Sequence, residues 1–376
     1  MQHKFNLFII PCIVFMMIFS ACNSQTEKTR ATGLKDVFEG DFYIGTTLNK
    51  DQINGIDTSA IKIVKQHFNS ITAENCMKVE KILVSRDVYD FSVADKFVDF
   101  GEQKKMFIVG HTLIWHSQTP DWFFTNDAGN DVSKEELIQR MKKYIHKVVG
   151  RYKGRVNGWD VVNEAVNDDG SMRESKYYKI IGPEYVRLAF QFAHEADPDA
   201  QLYYNDYSMN KKEKQEGVIR LIKSLQEDSI PVDGIGMQAH LLFNEPTVED
   251  MEQGIINLSQ LGLPIMITEL DITVLPWPGS EITADVATNH EFKKEYDLYP
   301  HGLPDSVSEQ LNNKYLQLFE MFKKHHDKIS RVTVWGIYDQ QSWRNYWPIP
   351  GRTDYPLLFD RNYQPKPVVK ELLENE

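Results

Sequence analysis

Short apolar segments alternate with longer amphipathic segments along the chain from about residue 38. The short segments are rich in Val, Ile and aromatic residues, which is typical of buried strands. The longer segments repeat apolar residues every three or four positions, the pattern of a helix with one buried face. The predicted strands are residues 42–48, 70–73, 106–110, 158–162, 201–204, 234–238, 264–270 and 331–335. The clearest predicted helices are residues 133–152, 183–196, 211–227, 247–261 and 306–326.

Eight strands joined by helices predict an α/β fold with a parallel sheet, because parallel connections need long crossovers. An open doubly wound sheet and a closed barrel both fit this order of elements. Polar residues follow nearly every strand, and a closed ring would gather them around one mouth. We therefore predict a single (β/α)8 TIM barrel as the catalytic domain, over residues 38–376. Two unusually long connections, residues 118–132 and 273–305, are expected to form cleft walls.

The first 37 residues follow a different pattern. Residues 1–21 combine a basic start with an apolar run too short to span a membrane comfortably, and they predict an export signal. Residues 19–22 (FSAC) resemble a bacterial lipobox, in which Cys22 would become the lipidated first residue. Phe19 stands where Leu is commoner, and cleavage near Ala21 would instead release a secreted protein. Residues 22–37 are polar without a hydrophobic period and predict a tether.

Composition agrees with a globular protein and excludes several partners. The 376 residues are 41% hydrophobic and 26% charged, which is enough for a large core. The net charge of −12 argues against binding to nucleic acid or to an anionic membrane surface. Cys12 leaves with the signal and Cys22 would be acylated, so Cys76 has no disulfide partner and is expected to be a small buried apolar residue. No zinc-binding spacing or phosphate-binding loop is present.

Two predicted strands end in carboxylates that could work together. Glu164 follows the short β-branched run Val161-Val162 and Asn163, and Glu269 ends the run that begins at residue 264. A single Glu at such a place is more often a helix cap or a salt bridge at the barrel rim. Two of them on different strands of one closed sheet would face a common cleft. Glycoside hydrolysis needs such a pair, one to protonate the leaving oxygen and one to attack or to activate water.

Around these carboxylates the sequence resembles glycoside hydrolase family 10, the retaining endo-β-1,4-xylanases. Residues 159–165 (WDVVNEA) resemble its acid/base segment, and residues 267–271 (ITELD) resemble its nucleophile segment. Further family segments follow in family order, and the resemblance runs from about residue 38 to residue 373. These segments are 72–78 (TAENCMK), 111–118 (HTLIWHSQ), 204–207 (YNDY), 236–240 (GMQAH) and 334–336 (VWG).

The resemblance implies roles for the residues around the two carboxylates. Glu164 would be the acid/base, with a pKa raised by repulsion from an ionised Glu269, the nucleophile. His240 would donate a hydrogen bond to Glu269. Asp271 would hold the far side of that imidazole, since residues two apart on a strand share a face. Asn163 would bind the sugar 2-OH, a contact that tightens in the transition state.

The resemblance also implies a set of sugar-binding residues. Glu74, Asn75 and Lys78 would grip the sugar one position beyond the cleaved residue on the non-reducing side. Aromatic side chains in such a cleft suit pyranose rings. The expected substrate-binding residues are Glu74, Asn75, Lys78, His111, Trp115, Gln118, Tyr207, Gln238, Trp335 and Trp343.

The resemblance also concerns the loop after the fifth predicted strand and one peptide bond after the third. Tyr207 would lie near the nucleophile, whereas Asn205 and Asp206 would either brace the same loop or contact sugar. Members of the family characteristically have a cis peptide bond where this chain has His111 and Thr112.

We therefore expect a monomeric endo-β-1,4-xylanase that acts on xylan or xylo-oligosaccharides by a retaining mechanism, without a metal or organic cofactor. A β-1,4-glucanase or mixed-linkage glucanase is an alternative, because the sequence does not show whether the pocket accepts a C5 hydroxymethyl group. A non-catalytic glycan-binding protein would be expected to lack Glu164 or Glu269. As a lipoprotein, the chain would contact a membrane only through Cys22 and lie at the outer membrane or in the periplasm; otherwise it would be secreted.

Overall fold

The computed structural model describes residues 1–2, 31–279 and 290–374. Most of the predicted export signal, the lipidation site at Cys22 and residues 22–30 of the predicted tether lie outside the described residues. So do residues 280–289 of the second long connection. From Ala31 onward the chain forms one compact unit.

A ring of eight parallel strands forms the centre of this unit. Each strand pairs with the next along the chain. The last strand pairs with both the seventh and the first and so closes the ring. The predicted (β/α)8 barrel is therefore confirmed, and the open sheet is wrong. The strands are β1 (Tyr43–Leu48), β2 (Ser70–Ala73), β3 (Phe107–Trp115), β4 (Gly158–Asn163), β5 (Gln201–Asp206), β6 (Gly234–Met237), β7 (Ile265–Thr273) and β8 (Ile329–Val334).

Helices lie between the strands. The α-helices are Leu34–Val37, Lys50–Ile53, Thr58–His67, Val79–Ile82, Ser92–Lys104, Lys134–Arg151, Lys176–Ile181, Tyr185–Ala196, Lys212–Glu227, Val248–Ser259, Asp305–Lys324 and Pro367–Glu374. Single 3-10 turns are Asp121–Phe123, Lys294–Tyr296, Asp339–Gln341 and Trp343–Asn345. No helix in the described part of the chain is long and apolar enough to cross a membrane.

The helix Lys134–Arg151 shows why these segments fold as the sequence pattern predicts. Ser133 caps its start, where the hydroxyl accepts the backbone N–H of Glu136 at 3.2 Å. Its buried residues recur every three or four positions and form one face; they are Leu137, Met141, Tyr144, Ile145, Val148 and Val149. The other long helices bury one face in the same way.

Four strands run further than predicted at their C-terminal ends, and β3 and β7 do so by three residues or more. We expected strands ending at residues 110 and 270, but β3 continues to Trp115 and β7 to Thr273. The polar residues suggested loops, yet they are buried and bonded: the hydroxyl of Thr112 donates to the carbonyl of Asp160 at 2.7 Å. A short strand, His240–Leu242, pairs with the end of β7 and sets His240 opposite Asp271.

The predicted tether over residues 22–37 is wrong at its C-terminal end. Residues Leu34–Val37 form a helix that buries Leu34 and Val37. The Asp36 carboxylate accepts the backbone N–H of Thr32 and of Gly33, both at 2.9 Å, which starts the helix. One helical turn is too short to show a hydrophobic period, so the sequence pattern missed it.

Candidate active site

A cleft of about 630 Å³ opens at the C-terminal ends of the barrel strands. The predicted site residues line it, except Asp271, which lies behind His240. The predicted residues in the lining are Glu74, Asn75, Lys78, His111, Trp115, Gln118, Asn163, Glu164, Tyr207, Gln238, His240, Glu269, Trp335 and Trp343. Gln118 and Trp277, from the two long connections, also line the cleft, so both connections contribute to its wall.

Glu164 directly follows β4 and is almost completely buried. Its φ of 59° is a left-handed backbone conformation, uncommon for residues other than glycine. Oε2 accepts a hydrogen bond from the indole Nε1 of Trp115 at 2.8 Å, and Oε1 accepts one from Nε2 of Gln238 at 2.9 Å. These contacts orient the carboxyl toward the cleft.

Burial raises the pKa of Glu164, and the negative charge of Glu269 adds a smaller increase. Hydrogen bonds from Gln238 and Trp115, together with the charge of Arg173, lower the pKa only partly. The direction is the one predicted, but repulsion by Glu269 is not its main cause. Burial outweighs repulsion because a carboxylate withdrawn from water loses its hydration. A raised pKa keeps a carboxyl protonated and able to act as a general acid.

Glu269, in β7, has the opposite environment. Oε1 accepts a hydrogen bond from Nδ2 of Asn205 at 2.7 Å, and Oε2 lies 3.1 Å from Nε2 of His240. Burial by itself raises the pKa of Glu269, but these hydrogen bonds and nearby positive charge outweigh burial and leave it lowered. The carboxylate is therefore ionised at neutral pH, as a nucleophile requires.

His240 lies between two carboxylates. Its Nδ1 is 3.1 Å from Oδ2 of Asp271, an ionic contact without the alignment of a hydrogen bond. Burial by itself lowers the pKa of His240, but Asp271 and Glu269 raise it to about 9. His240 is therefore an imidazolium at neutral pH and can donate to Glu269.

Arg344 completes this row of charges. Its Nε and Nη2 donate to Oδ1 of Asp271 at 3.1 and 2.9 Å. Burial alone would raise the pKa of Asp271, but Arg344 and His240 lower it to about 2. The four side chains thus alternate in sign from Arg344 through Asp271 and His240 to Glu269.

Side-chain amides connect the two catalytic candidates. Nδ2 of Asn205 donates to Oδ1 of Asn163 at 3.0 Å as well as to Glu269. Nε2 of Gln238 is 3.2 Å from the same Oδ1, and Nδ2 of Asn163 is 3.3 Å from Oε1 of Glu164. The network orients Asn163 between the two carboxyls, where the predicted sugar 2-OH contact would lie.

A second polar cluster lies beside β2 and β3. The ammonium of Lys78 is buried and donates to Oδ1 of Asn75 and Oε1 of Gln118, each at 2.9 Å. It also lies 5.0 Å from the centre of the Trp115 ring. Nδ2 of Asn75 donates to Glu74 at 3.1 Å. Cys76, within this loop, is a free thiol that packs against the core but is only half-buried, so its predicted burial is only partly confirmed. Withdrawal from water raises the pKa of this thiol to about 12.

Aromatic rings also line the cleft. Trp335 lies edge-on to His111, with ring centres 5.2 Å apart. Trp343 donates its Nε1 to Oδ2 of Asp271 at 2.7 Å and stacks on Trp347 at 4.8 Å. Trp277 lies 5.3 Å from Trp347. These rings give the cleft a rigid apolar side.

His111 projects from β3, and its Nδ1 lies 2.9 Å from Oδ2 of Asp160. The peptide bond between His111 and Thr112 is cis, as the resemblance implies. The hydroxyl of Tyr207 accepts a hydrogen bond from Nη2 of Arg173 at 2.7 Å.

Several site residues were not predicted. Asn205, for which the resemblance allows two roles, donates a hydrogen bond to Glu269, whereas Asp206 braces the loop by pairing with Lys214 at 2.7 Å. Arg173 and Arg344 act on the site from loops. Of these two arginines, only Arg344 could have been suspected from the sequence, because it follows the predicted site residue Trp343. Trp277 and Trp347 would have required knowledge of how two distant loops meet.

Two buried carboxyls at the mouth of a closed (β/α)8 barrel, with pKa values shifted in opposite directions, form the arrangement that glycoside hydrolysis requires. Within residues 1–2, 31–279 and 290–374, no group of three or more His, Cys, Asp or Glu side chains could hold a metal ion. The sequence profile of Glycosyl hydrolase family 10 matches residues 33–375, and the chain belongs to that family.

Individual relatives agree with this assignment. The chain is 47% identical over 363 residues to an endo-1,4-beta-xylanase A of Xylanibacter ruminicola, covering 96% of this chain and 97% of the relative. A solved GH10 endoxylanase from a sugarcane soil metagenome is 45% identical, with a TM-score of 0.88 over 92% of this chain and all of that one. Another solved structure, a mutant in complex with xylotriose, is 34% identical, with a TM-score of 0.81 over 91% of this chain and 99% of that one.

Proposed function

We propose that the protein is an endo-β-1,4-xylanase that hydrolyses internal xylosidic bonds with retention of configuration. The observation that carries this proposal is the placement of two buried carboxyls in one cleft, Glu164 bonded to Trp115 and Gln238 and Glu269 bonded to Asn205 and His240. Their pKa values are shifted in opposite directions, raised in Glu164 and lowered in Glu269. Xylan is the proposed substrate because the relatives named above include xylanases and a complex with xylotriose.

The reaction takes place in two steps on these groups. In the first, Glu164 gives its proton to the glycosidic oxygen as the bond to C1 breaks, and a Glu269 oxygen bonds to C1. Esterification removes the negative charge of Glu269, and the pKa of Glu164 falls. In the second step Glu164 takes a proton from water, the water oxygen bonds to C1, and the ester to Glu269 breaks. The protein groups supply all of this chemistry.

Release of reducing sugar from xylan tests the activity, with Glu269→Gln as the matched variant. We expect strong release by the wild type and almost none by the variant. Equal release by both would contradict the proposal. β-Glucan and carboxymethylcellulose serve as parallel substrates, and faster release from either would favour the glucanase alternative. Binding of xylan without release by the wild type would favour a glycan-binding protein.

We also propose that the chain is an exported lipoprotein carrying its lipid at Cys22. The support is the sequence of residues 1–22, in which a short apolar run precedes FSAC. Metabolic labelling with palmitate is expected to label the wild type and not Cys22→Ser. Absence of label from both would reject the anchor and leave secretion. The chain is proposed to act as a monomer, which size-exclusion chromatography with light scattering would check.

A further inference from the structure

The main chain around Glu164 is held by groups from several elements. The N–H of Glu164 donates to the carbonyl of Asn205 at 2.9 Å. The carbonyl of Glu164 accepts Nε of Arg173 at 2.8 Å, and the carbonyl of Ala165 accepts the backbone N–H of Arg173 at 2.7 Å. Arg173 therefore binds two successive carbonyls at the point where the chain takes its left-handed turn. Such a conformation persists only where the surroundings impose it.

Arg173 also reaches the wall of the cleft. It follows the loop that the bridge between Val166 and Met172 closes. Its Nη2 donates to the hydroxyl of Tyr207 at 2.7 Å, and Tyr207 lines the cleft. One planar guanidinium thus joins the backbone of the acid/base candidate to a wall residue, a geometry that lysine does not reproduce.

The charge of Arg173 acts on the Glu164 carboxyl as well. Burial raises the pKa of Glu164, and the positive charge of Arg173 opposes this rise. The other charged or titratable groups that face Glu164 are Lys78, His116, Asp206, Tyr207 and Glu269. Asp206 and Glu269 are acidic and oppose ionisation of Glu164, whereas the cations Lys78 and Arg173 favour it.

We propose that Arg173 is a positioning residue for the acid/base: it fixes the turn at Glu164 and keeps the Glu164 carboxylate available as a base in the second step. This inference rests on the proposed function, in which Glu164 serves as both acid and base. A merely structural Arg173 would support the loop without changing the protonation of Glu164.

The pH dependence of kcat/KM separates the two roles, because its alkaline limb reports the acid of the free enzyme. In Arg173→Met the limb is expected to move to higher pH, by up to about one unit. Arg173→Lys, which keeps the charge, is expected to remain closer to the wild type. Arg220→Met is the matched control, since Arg220 donates to the carbonyl of Gly170 at 2.9 Å in the same loop and does not line the cleft.

The second step gives an independent readout. With 2,4-dinitrophenyl β-xylobioside the leaving group needs no proton, so hydrolysis of the glycosyl-enzyme limits turnover. We expect kcat of Arg173→Met to fall at least about tenfold, part of the rate that general base catalysis supplies, and azide to restore it. If Arg173→Met does not fold, kcat on this substrate is measured in Arg173→Lys instead. A lysine cannot donate to both the Glu164 carbonyl and the Tyr207 hydroxyl as the guanidinium does.

Two results would overturn the inference. One is an alkaline limb of Arg173→Met that coincides with those of the wild type and Arg220→Met. The other, when the Met variant cannot be measured, is a wild-type kcat of Arg173→Lys on 2,4-dinitrophenyl β-xylobioside. Failure of the proposed function is seen separately, since Glu164→Ala would then not be rescued by azide.

Discussion

Arg344 and Asp271 form a fully buried ion pair, with two guanidinium N–H groups directed at one carboxylate oxygen at 2.9 and 3.1 Å. Asp271 lies behind His240, whereas Arg344 itself lines the cleft. It holds Asp271 ionised against burial, and Asp271 in turn raises the pKa of His240 beside Glu269. The ionisation of Glu269 therefore depends on Arg344, which acts on it through Asp271 and His240.

Removal of the guanidinium is expected to destabilise the fold strongly. Breaking a buried pair from one side leaves an uncompensated charge, so Arg344→Met should lower the free energy of unfolding by about 3–5 kcal/mol. Arg151→Met is the control, because its ion pair with Asp95 is exposed and worth about 1 kcal/mol or less. Urea unfolding curves measure both, and similar small losses in the two variants would contradict the account.

His240 makes stability depend on pH in the alkaline range. Its folded-state pKa of about 9 lies above the unfolded value of about 6.5. The imidazolium therefore contributes fully below about pH 6.5, and its contribution disappears as the pH rises through about 9. The difference in unfolding free energy between wild type and His240→Gln should shrink over this window. A constant difference, or an NMR titration of His240 near 6.5, would show that the carboxylates do not hold its proton.

The role assignment predicts a stereochemical outcome. If Glu269 attacks C1 directly, the two carboxyls should lie about 5–5.5 Å apart, whereas inverting enzymes keep about 6.5–9.5 Å for a water. The first-formed sugar should have the β configuration, which NMR detects before mutarotation. An α product would show that the enzyme inverts.

Azide distinguishes the two carboxyls on an activated aryl xyloside. In Glu164→Ala the intermediate still forms, and azide attacks it to give a β-azide. In Glu269→Ala no intermediate forms, and azide entering the vacated space gives an α-azide. Azides of the same configuration from both variants would mean that the roles are assigned wrongly.

Lys78 is expected to matter most for short substrates. Lys78→Ala leaves the oxygens of Asn75 and Gln118 without their ammonium donor, at about 1–3 kcal/mol for each unpaired buried group. The value of kcat/KM on aryl xylobiosides should fall roughly ten- to hundredfold, and less on long xylan, which has other contacts. Lys81→Ala is the control, since Lys81 pairs with Glu80 at the surface. A uniform loss across chain lengths would argue against this role.

The sequence predicted the barrel and, together with the family resemblance, many of the residues that line the cleft. Both follow from local features: the alternation of strand and helix is short-ranged, and polar residues such as Glu164 and Glu269 stand next to their own strands. Once parallel strands close into a ring, their C-terminal ends meet at one mouth, so neighbours of those ends must line it.

Tertiary structure decided what each group there does. From the sequence, Asn205 could either brace its loop or contact sugar, and neither Arg173 nor Arg344 had a predicted role. The raised pKa of Glu164 was predicted, but its cause was taken to be repulsion by Glu269 and not burial. Hydrogen bonds such as Asn205 to Glu269 join residues far apart in the chain, and burial depends on every element packed around a carboxyl. Such contacts and such burial leave no periodic trace in the sequence, because they exist only after the loops have met.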